Sequence, residues 1–253
     1  MSNSHANTRH FRKVCYYVPT LSLSKTNPKT GVFLLMLVNA DFDKRVVIKP
    51  EDYTWVDSPM PGVERMMLDR VGKESGRATS IVRYAPFSEF SPHVHTGGEE
   101  FIVLEGVFSD EHQDYGVGHY ARNPIGTSHT PKIGKEGATI FVKLDQFDKA
   151  DTKQKVVDTH STPWRKGLVE GLTVMSLHEF EREHVALVKW APNTQFKPHK
   201  HWGGEEILVL EGTFFDEHSR YPKGSWIRSP HLSEHTPFTK EDGALIYVKV
   251  GHL

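Results

Sequence analysis

The sequence predicts an all-β protein made of one strand-rich barrel unit repeated in tandem, and three observations carry that prediction. The first is an internal repeat. Residues 82–143 align without a gap on residues 188–249, and about half of the aligned pairs are identical. The second is the period of the apolar residues. Stretches such as 81–84, 101–104, 139–143, 186–190, 207–210 and 245–250 are rich in Val, Ile, Leu and aromatics. Gly, Pro, Asp and Asn clusters interrupt them at roughly 8–12-residue spacing, the rhythm of short strands joined by turns. The third is the lack of a long stretch with helical period. Only residues 179–184 (EFEREH) have helix-forming composition, and that stretch is short. Two small barrels or jelly rolls in one chain fit all three.

Composition narrows the classes. A chain of 253 residues suits one large all-β domain or two of about 100 residues each. The 31 basic and 32 acidic side chains give a net charge of −1. A groove that tracks a phosphate backbone needs a basic excess, so no nucleic-acid partner is expected. The 20 Gly and 15 Pro are spread along the chain, which suits tight turns and not a disordered tail. Cys15 is the one cysteine, so neither an intrachain disulfide nor a cysteine-rich zinc module can be built. The longest apolar run, 31–38, is strand length, far short of the roughly 20 residues of a membrane-spanning helix. No membrane partner is expected. Histidine, at 16, is the unusual count.

Along the chain, residues 1–40 come first. They carry Arg9, Arg12, Lys13, Lys25 and Lys29, many Ser and Thr, and no acid before Asp41. That composition is shared by organelle transit peptides and by solvated extensions. The extension is the preferred reading, with Met36 as an alternative start and the cytoplasm as the expected location. Residues 41–148 form the first copy of the repeat and 164–253 the second. The polar stretch 149–163 between them reads as a linker or an edge-covering arm. The repeat extends backward with Trp55, Gly62 and Leu68 facing Trp164, Gly171 and Leu177, at a shifted offset. The shift falls between 72–77 and 181–183, as expected of a hairpin turn that tolerates a length change. Two barrels in one chain can cover each other's sheet edges, further pairing into a homodimer is open, and 31–38 is a segment able to add to a neighbouring sheet.

Each copy carries His-x-His-x-x-x-Glu and a further His about thirty residues on: His93, His95, Glu99 and His129, then His199, His201, Glu205 and His235. Residues i and i+2 of a strand face the same way, so each His-x-His pair aims two imidazoles at one point. Gly97–Gly98 and Gly203–Gly204 permit the bend that brings the glutamate to that point. The distant histidine closes the set from a neighbouring strand. Three imidazoles and a carboxylate suit Fe(II), Zn(II), Mn(II), Ni(II) or Cu(II), one per copy, and suit Ca(II) or Mg(II) poorly.

These residues resemble the cupins. The stretch from His93 to Gly106 fits the first cupin motif, and Gly118, Pro124, Gly126 and His129 fit the second. Gly224, Pro230 and His235 repeat the second motif, with Leu232 in place of its inner glycine. The wording GGEExxVLEG, with DEH and HTP, is most similar to ChrR-type cupins. Two departures concern turns: the glycine that opens the first motif is Phe87 or Asn193, and the asparagine that closes the second is Ile133 or Thr239. The resemblance implies a bicupin, two β-jelly rolls each with a metal held by the residues above, the glutamate being the least constant ligand. It is not expected to extend to sigma-factor binding, because residues 1–40, with Cys15 and no His/Cys cluster, do not read as the helical zinc module that would carry it.

Other residues have two readings each. Glu100 and Glu206 should face away from the ligand glutamates, as satisfied inter-strand carboxylates or as proton carriers. His112 and His218 read as hairpin tips. Arg122 and Arg228 are candidates for binding an anionic substrate or for pairing with Asp110 and Asp216. Phe90, Phe101, Phe141, Phe196, Trp202 and Tyr247 are expected at or near barrel-facing positions, lining a small ligand site or packing the core. The function expected from all this is a metal-dependent non-haem Fe(II)-type dioxygenase acting on a small enolate or carboxylate. The alternatives are a Zn-binding sensing or regulatory module without catalysis, and a metal-dependent decarboxylase.

Overall fold

The computed structural model describes residues 35–253. Cys15, the basic residues of the extension and most of the 31–38 run lie outside them. Among the described residues there is no α-helix and one short 3-10 turn, Pro50–Asp52; all other regular structure is strand. Among the described residues, no helix is long and apolar enough to cross a membrane.

Two large antiparallel sheets dominate. The first runs, neighbour to neighbour, Met36–Val38, Val63–Gly72, Gly76–Tyr84, Lys132–Leu144, Glu99–Ser109, His119–Asn123 and Lys155–Asp158. The second runs Arg165–Lys166, Leu172–Phe180, Glu183–Trp190, Phe238–Val250, Glu205–Phe215, Trp226–Ser229 and Val46–Ile48. Each sheet faces a two-stranded ribbon that carries histidines: His93–Val94 with Ser128–His129, and His199–Lys200 with Glu234–His235.

The outermost strands trade places. Lys155–Asp158, within the stretch read from sequence as a connector or edge-covering arm, pairs with His119–Asn123 of the first copy. Val46–Ile48, which leads into the first copy, pairs with Trp226–Ser229 of the second. The two segments are repeat equivalents, since Lys155 lies opposite Arg122 as Val46 lies opposite Arg228. Each copy therefore sends its leading strand to close the other's sheet, and no outer edge is left bare there. The division at 41–148 and 164–253 cuts through this exchange.

Strand alternation decides what each residue packs against. On Glu99–Ser109, Phe101 and Val103 point into the first barrel, with Val82, Phe108, Ala121, Ile140 and Val142. Their neighbour Ile102 joins a core shared by both copies, in which Met66, Leu68, Ile81, Tyr120 and Phe141 pack with Met175, Leu177, Leu187, Leu208, Trp226 and Tyr247. Phe141 and Tyr247 are repeat equivalents and meet edge to face, with ring centroids 5.2 Å apart. Such a pair adds about 0.5–1.5 kcal/mol beyond its burial. The expectation that both rings face a barrel interior is thus corrected. The inward residues of those strands are Ile140, Val142 and Ile246, so period 2 sends Phe141 and Tyr247 to the face between the copies. The helical composition of 179–184 is also overridden. Leu172–Phe180 and Glu183–Trp190 form a hairpin whose turn residue Glu181 has φ of +50°, because cross-strand pairing outweighs helix propensity in so short a segment.

Candidate metal centres

The histidines converge as their spacing requires. In the first copy the rings of His93, His95 and His129 form a triangle with centroids 4.8–5.2 Å apart. In the second, those of His199, His201 and His235 are 4.7–4.9 Å apart. Glu99 Oε2 lies 3.6 Å from His95 Nδ1 and from His129 Nε2. Glu205 Oε2 lies 3.5 Å from His201 Nε2 and from His235 Nε2. In each set, four donor atoms sit within 4.8 Å of one another.

Local chain geometry explains the convergence. His129 pairs directly across from His93 in the small ribbon, as His235 does from His199. Gly98 has φ of +81°, and a Cβ there would run into the Phe147 ring; Gly204 has φ of +71° and meets Leu253 in the same way. Only glycine allows the tight entry to the strand that begins with each ligand glutamate.

The donor set fits a divalent transition metal. His95 Nε2, His129 Nε2, His201 Nε2, His235 Nε2 and Glu205 Oε2 are buried and have no hydrogen-bond partner. Orphaned polar atoms of this kind are costly unless something binds them. His93 Nδ1 lies 3.3 Å from the Ser91 carbonyl and His199 Nδ1 3.1 Å from the Lys197 carbonyl. With those protons on Nδ1, the Nε2 lone pairs are free. Burial lowers His95 and His201 to about 3 and raises Glu99 and Glu205 to about 7. His95 and His201 are therefore held neutral, the state in which an imidazole binds a metal, while the Asp216 and Glu205 carboxylates outweigh burial at His235 and raise it.

Two aspartates stand behind the ligands, a role that sequence reading did not assign them. His129 Nδ1 lies 3.2 Å from Asp110 Oδ2, and Asp110 also accepts the Tyr115 hydroxyl and the backbone N–H groups of His112 and Gln113. Asp216 holds the same place behind His235, at 3.8 Å, and accepts from Tyr221 and from the N–H groups of His218 and Ser219. Asn123 donates to Glu99 Oε2 at 3.0 Å. The signal was the DEH turn shared by both copies, whose aspartates are nineteen residues before the distant histidines.

The expected pairing of Arg122 and Arg228 with Asp110 and Asp216 is corrected. Both arginines are on the opposite strand face from the histidines, buried between the copies. Arg122 donates to Glu100, Asp151 and Glu183; Arg228 donates to Asp69 and to the carbonyls of Asn39 and Asp41. Lys249 crosses to Glu100 at 2.7 Å, and Lys143 crosses the other way to Glu206 at 2.5 Å. Burial alone would raise the Glu100 carboxyl, but Lys249 and Arg122 override it and hold it well below the usual range. Asp151, His178 and Glu183 form a third acidic–imidazole cluster there, already filled by the cations of Arg122 and Lys249.

Of the aromatic candidates, Phe101 is in the first barrel core and Phe90 packs against it. Phe196 is edge-on to the ligand His199 at 4.9 Å. Trp202 is 69% exposed and packs on His231. His93 is the exposed member of its set, which places the solvent side of that centre there. Two surface clefts, one around Arg83, Tyr84 and Pro86 and one around Lys189, Trp190 and Pro192, contain none of these histidines.

A family model described as the ChrR cupin-like domain matches the chain twice, over residues 43–148 and 152–253. No curated protein matches it in sequence. Among solved structures, a protein from Nostoc punctiforme PCC 73102, provisionally described as a dioxygenase, superposes with a TM-score of 0.69 at 21% identity, covering 82% of each chain. Oxalate decarboxylase from Lactobacillus farciminis, solved with formate, gives 0.59 at 11% identity over 81% of this chain and 85% of its own. A bacterial pirin from Escherichia coli, solved with nickel(II), gives 0.60 at 10% identity over 83% of this chain and 100% of its own.

Proposed function

The chain belongs to the ChrR cupin-like family, and from that premise we propose that it is a metal-dependent enzyme of the non-haem Fe(II) oxygenase type, acting on a small enolate or carboxylate. One observation carries the reading. Three imidazoles and one carboxylate converge in each barrel, two buried imidazole nitrogens in each set and the Glu205 Oε2 of the second have no hydrogen-bond partner, and one imidazole of the first set lies at the solvent side. Four protein ligands leave positions free on a metal that prefers six. Likenesses to proteins described as a dioxygenase, a decarboxylase and a nickel-bound pirin support metal chemistry on this scaffold, although fold alone does not choose a reaction.

When bound, the metal supplies Lewis acidity and, as Fe(II), electrons for dioxygen chemistry. The protein's own contribution is positional. Asp110 fixes the His129 tautomer, Asn123 holds one Glu99 oxygen, and Phe108 beside His129 and Phe196 beside His199 give apolar surface at the site. A substrate whose enolate or carboxylate oxygen meets the cation is favoured over a neutral one.

The test is elemental analysis of protein purified anaerobically without added metal, followed by oxygen uptake with small enolates and carboxylates. Iron approaching two per chain and substrate-dependent oxygen consumption are expected. Replacing His95 and His201 together by Ala should abolish both and lower the melting temperature, because metal binding is linked to folding. Stoichiometric zinc that resists chelators, with no turnover, would overturn the oxygenase reading in favour of a sensing module.

A further inference from the structure

The two centres differ in two built features: Asn123 holds Glu99 in the first, where Ser229 stands in the second, and the second has an arginine behind its aspartate. Arg45, at the start of the exchanged strand Val46–Ile48, reaches from the first copy into the second barrel. Its Nη2 donates to Asp216 Oδ2 at 2.7 Å and to the Tyr221 hydroxyl at 2.7 Å. The repeat-equivalent position on the other exchanged strand is Gln154, which donates to Asn123 Oδ1 at 3.4 Å, and Asn123 in turn holds Glu99. Each copy thus inserts one side chain behind the other's ligands, but one is a cation and the other a neutral amide. Asp110 has no arginine partner among the described residues.

The chain supplies its own control for what Arg45 does. Asp110 is held by a tyrosine hydroxyl and two backbone N–H groups, and Asp216 by the three equivalent donors. Arg45 is therefore not needed to place the aspartate; what it adds is charge. The aspartate–histidine separation follows suit, 3.2 Å in the first centre and 3.8 Å in the second. An aspartate shared with a guanidinium gives less of its charge to the imidazole, and a divalent cation in that barrel meets one more positive charge nearby.

We propose that Arg45 is a tuning residue that makes the second centre the weaker of two unequal metal sites. This rests on the metal-binding reading above. The experiment uses the full chain and Zn(II) as probe, titrated at pH 8 against a chromophoric chelator. His201→Ala isolates the first centre and His95→Ala isolates the second. The second should bind roughly tenfold more weakly, within the span of outer-shell effects on metal affinity. Arg45→Gln in the His95→Ala background should close most of that gap, Arg45→Lys should preserve it, and Arg45→Gln in the His201→Ala background should change nothing. Equal affinities in the two single-centre variants would overturn the proposal without any appeal to Arg45 variants. So would Arg45→Gln weakening the second centre, which would make Arg45 a holder of Asp216. No zinc in any variant would instead overturn the metal reading itself.

Discussion

Leu232 and Phe87 stand where the family's motifs have glycine, and both adopt left-handed backbone, with φ of +62° and +61°. Their side chains are exposed, at 45% and 72%, so little packing offsets the strain, which is about 1–2 kcal/mol for a non-glycine residue. Leu232→Gly should raise stability by about 1 kcal/mol and the melting temperature by roughly 2–4 °C, readable by calorimetry with metal content unchanged. A lower melting temperature would show that the exposed side chain makes up for its backbone. At this scale the sequence was most legible for the convergence of the eight His and Glu side chains, because same-face spacing on a strand is a local property. Asp110, Asp216 and Arg45 were not assigned to the sites. They approach from distant segments, and nothing local in an Asp-Glu-His turn says which histidine it will face.

The strand Glu99–Ser109 does two jobs through alternation, offering Glu99 to the barrel and Glu100 to the opposite copy; Glu205 and Glu206 repeat the division. Glu206 accepts from Lys143 and from the Trp226 indole N–H, with His252 close by. Removing one member of a buried ion pair costs about 3–5 kcal/mol because the other is left uncompensated. Lys143→Met should therefore lower the urea unfolding free energy by about that much, and adding Glu206→Leu should recover part of the loss. A Lys143→Met variant as stable as wild type would mean that water or His252 already compensates Glu206. Alternation was readable from the sequence, and so was the outward turn of Glu100. The second partner surface was not, so Phe141 and Tyr247 were placed by hydrophobicity in a barrel when they belong to the core between copies.

Over the whole molecule, that core is laced with buried charge: Glu100, Glu183, Asp151 and Asp69 against Arg122, Arg228 and Lys249. Burial opposes ionisation of Glu100 and Glu206, yet their cationic neighbours win and hold both carboxyls well below the usual range. A carboxyl depressed in the folded state adds stability above its unfolded pKa, near 4.3, and that contribution is lost as pH falls toward the folded value. The part of the urea midpoint owed to these two carboxyls should thus be constant above about pH 5 and be lost below about pH 4.5, so that the acid-side drop is shallower in Glu206→Gln. The repeat, and with it the tandem architecture, was legible because roughly half of the residues coincide in register. The exchange of leading strands was not, since 46–48 and 155–158 share little beyond β-branched character.

That exchange bears on ancestry. A single copy expressed alone would keep its donor strand and lack an acceptor's edge cover, and two such molecules would satisfy each other by swapping. The present chain has the topology of that swapped homodimer with its subunits joined end to end. In a homodimer every substitution strikes both sites at once. Once one gene encodes both halves, each can drift separately, and a position that would have been one residue twice can become Arg45 here and Gln154 there.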